Sequence, residues 1–124
     1  MDDLERWERD LGRHADELGD KVERAVERFT LRTEALAKQF APVDTGYLRS
    51  SITSEFSSTA GRTYSGEVTV GAHYAGYVEY GTSRMAPQPY LNPAVDVTEP
   101  EFYAACEAIG VEVGVTVDRR VDRL

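Results

Sequence analysis

A chain of 124 residues with 14 basic and 22 acidic side chains carries a formal charge of −8 and has material for one core, so a single domain over 1–124 is expected. The acidic excess is spread out, with 8 basic against 11 acidic residues in 1–40, 3 against 5 in 41–98 and 3 against 6 in 99–124, which argues against a phosphate-gripping basic patch and against specific nucleic-acid recognition. Lone Cys106 excludes an internal disulfide and reads as a buried thiol; no apolar run approaches a bilayer span and the acidic N-terminus is unlike a signal peptide, so no membrane association and assembly in the cytosol are expected.

Residues 2–41 read as one long helix. Leu4, Trp7, Leu11, Ala15, Leu18, Val22, Ala25, Phe29, Thr33, Leu36 and Phe40 fall at ten intervals spanning 36 residues, a mean step of 3.6 that keeps them on one face. Pairs such as Glu17–Lys21 and Glu34–Lys38 stand on the other face in the favourable i,i+4 order. Asp2 or Asp3 can cap the start, and Pro42 stops the end. A helix of about 60 Å is longer than so small a domain is wide. It must project, bend at Gly12 or Gly19, or pack on another chain, which favours an oligomer.

The period then changes. "PVDTG" is a turn, with Asp44 placed to bond the backbone ahead and Gly46 tolerant of positive φ. Over 47–74, Leu48, Ile52 and Phe56, then Tyr64, Val68, Val70, Ala72 and Tyr74, alternate with polar positions, predicting an antiparallel hairpin joined through "SSTAGR". Tyr74, Tyr77 and Val78 stand one turn apart, predicting a short helix that ends at Gly81 and packs on the hairpin. Pro87 and Pro89 stiffen the following stretch, so 75–94 is expected to be a short helix and a proline-rich arm. The tail, 99–124, steps by 3 or 4 through Phe102, Cys106, Ile109, Val113, Val117, Val121 and Leu124, although "VEVGVTV" also alternates like a strand; a helix is favoured.

Catalytic chemistry finds little footing. His14 lies within the charged helix pattern, and His73, at a strand end, reads as an ordinary strand residue; neither has a cluster of metal ligands beside it, so no metal and no cofactor are expected. "GTS" at 81–83 lacks the glycine spacing and the lysine of a phosphate loop, and "YGTSR" is not a nucleophile elbow, which makes Ser83 a poor nucleophile. Glu79 and Arg84 read more naturally as a loop-shaping or solvated ion pair than as a catalytic one.

The aromatics speak louder. Six of seven tyrosines lie between 47 and 90, and tyrosine suits surfaces where proteins meet. A stiff segment tipped by Tyr80, Met85 and Tyr90 would lose little entropy on docking. The proposed contact set is Tyr80, Gly81, Thr82, Ser83, Arg84, Met85, Pro87, Pro89, Tyr90 and Leu91.

"APVDTGYLRSSI" (41–52), followed by "YAGYVEYGTSRMAPQPYLNPA" (74–94), resembles the gene-product-ten-like tail-component family of HK-type long-tailed bacteriophages. Asp44, Thr45, Gly46 and Leu48 match its turn; Tyr74, Ala75, Tyr77, Val78, Glu79, Gly81 and Thr82 match its second motif, and Pro89, Leu91, Pro93 and Ala94 its third. Asn92 stands where that family usually has arginine. The resemblance, taken over the whole chain, implies an α+β fold: a long N-terminal helix packed on a small antiparallel sheet, with a short helix and a C-terminal helix. It further implies a non-enzymatic virion protein of the neck or tail, forming a homo-oligomeric ring, expected to be a hexamer, at the head–tail junction or head-proximal tail end. The implied partners are the connector and tail-tube proteins, with DNA passing through a channel without specific binding. Two other readings stay open on the residues: a monomeric module with a tyrosine-lined pocket for a peptide or small ligand, and an enzyme built on Glu79, Arg84 and Ser83.

Overall fold

The computed structural model describes residues 3–42, 46–59 and 63–110, with side chains from residue 18 onward. The order is α1 (Asp3–Phe40), α2 (Tyr47–Ser50), β1 (Ile52–Thr59), β2 (Thr63–Val70), α3 (Ala75–Tyr80) and α4 (Leu91–Ile109). This is the expected α+β architecture, in which one long helix carries a two-stranded sheet and a second helix. Asp44 and Thr45 of the turn, and the reading of 111–124 as helix, lie outside the described residues.

Helix α1 spans 38 residues, about 57 Å at 1.5 Å per residue. Its inward line differs from the expected stripe near the end: Ala37 and Ala41 are buried while Phe40 is exposed. Small side chains let three elements approach there. Ala37 and Ala41 join Leu48, Ile52, Ala72, Ala75, Tyr90 and Ala94 in one core, edged by Leu36, Val68, Val70, Tyr74, Val78 and Leu91.

The sheet is an antiparallel hairpin whose register runs without a slip from Ile52↔Val70 to Thr59↔Thr63. The strands are shorter than the 47–74 expected. Tyr47–Ser50 is a helical turn instead, entered through Gly46 at φ 73, the left-handed conformation anticipated for that glycine. It buries Leu48 beneath the hairpin base. Alternation then sorts the hairpin's two faces. Ile52, Ser54, Phe56, Tyr64, Gly66, Val68 and Val70 share the parity that meets α1, where Ser54 Oγ donates to Glu34 Oε2 at 2.9 Å. A Cβ on Gly66 would lie 1.9 Å from Thr30 Oγ1 and 2.9 Å from its Cβ, so only glycine permits this approach of strand to helix.

Helix α4 runs antiparallel to α1. Phe29 meets Phe102 edge-on at 5.8 Å, the Arg32 guanidinium donates to both Glu101 oxygens, and the Thr33 and Thr98 hydroxyls lie 2.7 Å apart. By that register Ile109 falls level with Val22, so the first half of α1 runs past the described end of α4. The helix begins at Leu91, eight residues before the expected 99, and passes straight through Pro100. A mid-helix proline removes one backbone bond and crowds the carbonyl four residues back, at about 3 kcal/mol or more. Contacts to α1 bracket it on both sides, at Thr98 and at Glu101 and Phe102, and hold the helix through it.

Candidate functional site

The residues between the second and third sequence motifs fold into a closed loop, not the extended arm expected. Helix α3 ends at Gly81, whose φ of 77 and ψ of 176 form a backbone state open essentially to glycine alone. A Cβ there would lie 2.8 Å from both Met85 O and Pro87 N. Beyond it, Thr82 N–H donates to Met85 O, Met85 N–H donates back to Thr82 O, and the Thr82 hydroxyl accepts from the Arg84 and Met85 amides. Gln88 N–H then donates to Val78 O at 2.8 Å, tying the far side of the loop to α3. Residues 82–89 are all exposed, while both roots are pinned.

The pin at the second root is Glu79. Its side chain is 2% exposed. Oε2 accepts from the amides of Tyr90 at 2.8 Å and Leu91 at 3.1 Å, and Oε1 accepts from Asn92 at 2.7 Å. The next residue, Pro93, has no N–H to satisfy. All four amide positions that open α4 are therefore accounted for by one carboxylate and one proline. A negative group at the positive end of a helix gains further from the aligned peptide dipoles. The expected Glu79–Arg84 pairing is replaced by this arrangement: the carboxylate turns inward to α4, and Arg84 and Ser83 face solvent.

Tyr90 is also placed differently from expectation. It is fully buried between α1, α3 and α4, with its hydroxyl 3.4 Å from Ala75 O. Burial, followed by the nearby Glu79 and Tyr74, pushes that hydroxyl up to about 12. An outward contact through the Tyr90 side chain is thereby excluded in this fold, and Leu91, half-buried, packs beside it on the core. Tyr77 points out from α3, whose inner face is Ala75, Gly76 and Glu79, instead of completing the core as expected. Tyr80 and Met85 are exposed as anticipated, as are Thr82, Ser83, Arg84, Pro87 and Pro89.

Sequence reasoning missed the role of Glu79, though a signal was present. Tyr90, at the N-cap of α4, offers no side-chain acceptor, and neither does Leu91 behind it. A helix start without a local cap and with proline in its first turn calls for an acceptor from elsewhere.

Tyrosines do not line the open cleft of about 150 Å³ between α1 and the hairpin tip, apart from Tyr64; its other walls are Glu23, Val26, Glu27, Phe56 and three serines. His73 is exposed in a turn, edge-on to Tyr74. Cys106 is buried, as expected, and burial pushes its thiol up. Among the described residues no three His, Cys, Asp or Glu side chains come together as metal ligands, and no helix is long and apolar enough to cross a membrane.

Residues 5–81 match the model of a family described as "Bacteriophage HK97-gp10, putative tail-component". The matched span takes in α1, the hairpin and α3, and ends at Gly81, so the exposed loop and α4 follow it. None of the curated proteins and none of the solved structures matches the chain.

Proposed function

Because the chain belongs to the HK97-gp10-like family of bacteriophage tail components, we propose that it acts at the head–tail junction, as a non-enzymatic ring that completes the tail, joins it to the capsid connector and leaves a channel for DNA. The family match carries this reading. Support comes from the 82–89 loop, a protrusion held at both roots, with Tyr80 and Met85 exposed at its edge. Fixed loops of this kind dock with little loss of entropy. The net charge of −8 suits a wall that duplex DNA must pass without sticking. The contact set is accordingly Tyr80 to Pro89, with the Tyr90 side chain left to the core.

Electron microscopy of particles from a producing phage lacking this gene tests the role. Filled heads lying apart from tails, or tails of faulty length, are the expected outcome; normal infectious virions would refute it. Within that role, Tyr80→Ala with Met85→Ala should abolish incorporation while the purified chain keeps its helical circular dichroism. Unimpaired incorporation would remove the loop from the interface.

A further inference from the structure

Among the described residues the hairpin is the whole sheet, so each strand keeps one outer edge to which none of them supplies a backbone hydrogen bond. Eight residues per strand make those edges long. The usual guards against edge pairing are missing: neither strand contains proline, lysine or arginine, and the register shows no bulge. The only charges are Glu55 and Glu67, directly opposite each other. Their side chains stand perpendicular to the sheet and leave its edges clear.

The two faces are sharply unlike. One packs on α1. The other presents Thr53, Glu55, Ser57 and Thr59 against Thr69, Glu67, Ser65 and Thr63, all hydroxyl or carboxylate, with Thr53–Thr69 and Ser57–Ser65 hydrogen-bonded across the strands. Such a face belongs in water, which leaves the edges as the part of the hairpin still able to form bonds.

We propose that copies of this chain join edge to edge, the outer edge of β2 pairing with the outer edge of β1 in the next copy. The inference rests on the ring proposed above and specifies how that ring closes. Rotation about an axis roughly along the strands preserves strand direction, so β2 of one copy runs antiparallel to β1 of the next, the direction an antiparallel ladder requires. The same rotation keeps every α1-covered face on one side. The hydroxyl and carboxylate faces then merge into a continuous lining, acidic and without a cation, past which a polyanion can move. Each copy uses two different edges, so the contact repeats until the ring closes and leaves no strand exposed.

Hydrogen–deuterium exchange separates this arrangement from others. The free chain and the same chain in purified particles are compared, with mass spectrometry reporting on peptides from 52–59, 63–70, 82–89 and 91–109. In the free chain the outward amides, about half of each strand, should exchange quickly; in particles they should slow by about 100-fold or more. Chain present in particles, with both strands exchanging as in the free form, would overturn edge pairing while leaving the tail role intact. Chain absent from particles would overturn the tail role and edge pairing together.

Discussion

At its base the hairpin is closed in: Ile52 is fully buried and shares a core with Ala37, Leu48 and Tyr90. At its tip Phe56 is exposed, and Ser57, Ser58 and Thr59 face water. The same two strands thus live in two environments, about one strand length apart. The base is where α1, α2, α3 and α4 converge, and small residues such as Ala37, Ala41, Ala72, Ala75 and Ala94 let them do so. Towards the tip α1 is the chief support, and Gly66 approaches it very closely at Thr30. Burial is therefore concentrated at the base of the hairpin, and its tip is left open to water.

The closed end depends most on Glu79. Glu79→Ala strands three amides at the start of α4, one buried and two part-buried, and should cost about 3–5 kcal/mol, read as a lower denaturant midpoint. Glu79→Gln should fall between, since its amide nitrogen turns donors towards donors.

High pH should act on the closed end through Tyr90. Tyr90 is raised above its ordinary 10.0 to about 12, so the folded state keeps its proton after the unfolded state has lost it. Its stabilisation is complete below pH 10 and is lost as pH rises towards 12, by about 2–3 kcal/mol across that window. Tyr90→Phe should flatten that part of the stability profile relative to the parent chain.

At the open end, Gly66→Ala should push the strand from α1 and cost about 1–3 kcal/mol. Thr30→Ala should recover only part of this, because the Thr30 Cβ itself would stand 2.9 Å from the new methyl. A double-mutant cycle measures the recovery. The smallest effect has the opposite sign: Glu67→Lys places a cation opposite Glu55 and should stabilise the free chain by about 0.2–1 kcal/mol.

How much of this could be read beforehand depended on the range of the forces involved. Period alone located α1, because Ala25, Phe29 and Thr33 recur at the step of one helical turn, and alternation located the hairpin and its α1-facing side. The conformation of Gly46 was legible because a turn there needs positive φ, and Gly81 was legible as the end of α3. The candidate loop was visible as a position, from Gly81 to Pro89, but its shape was not, since two prolines suggest an extended run and the bonds from Thr82 and Gln88 close it.

Local pattern by itself determined α1, the two strands and the short helix ending at Gly81, in that order, since helix and strand periods and glycine stereochemistry are written in neighbouring residues. Tertiary structure decided the rest. Only packing against α1 carries α4 through Pro100, and only the fold brings Glu79 to amides eleven to thirteen residues away. The burial of Tyr90 has the same origin: an aromatic beside prolines can face water or core, and the choice is made by alanines on three other segments that leave it room.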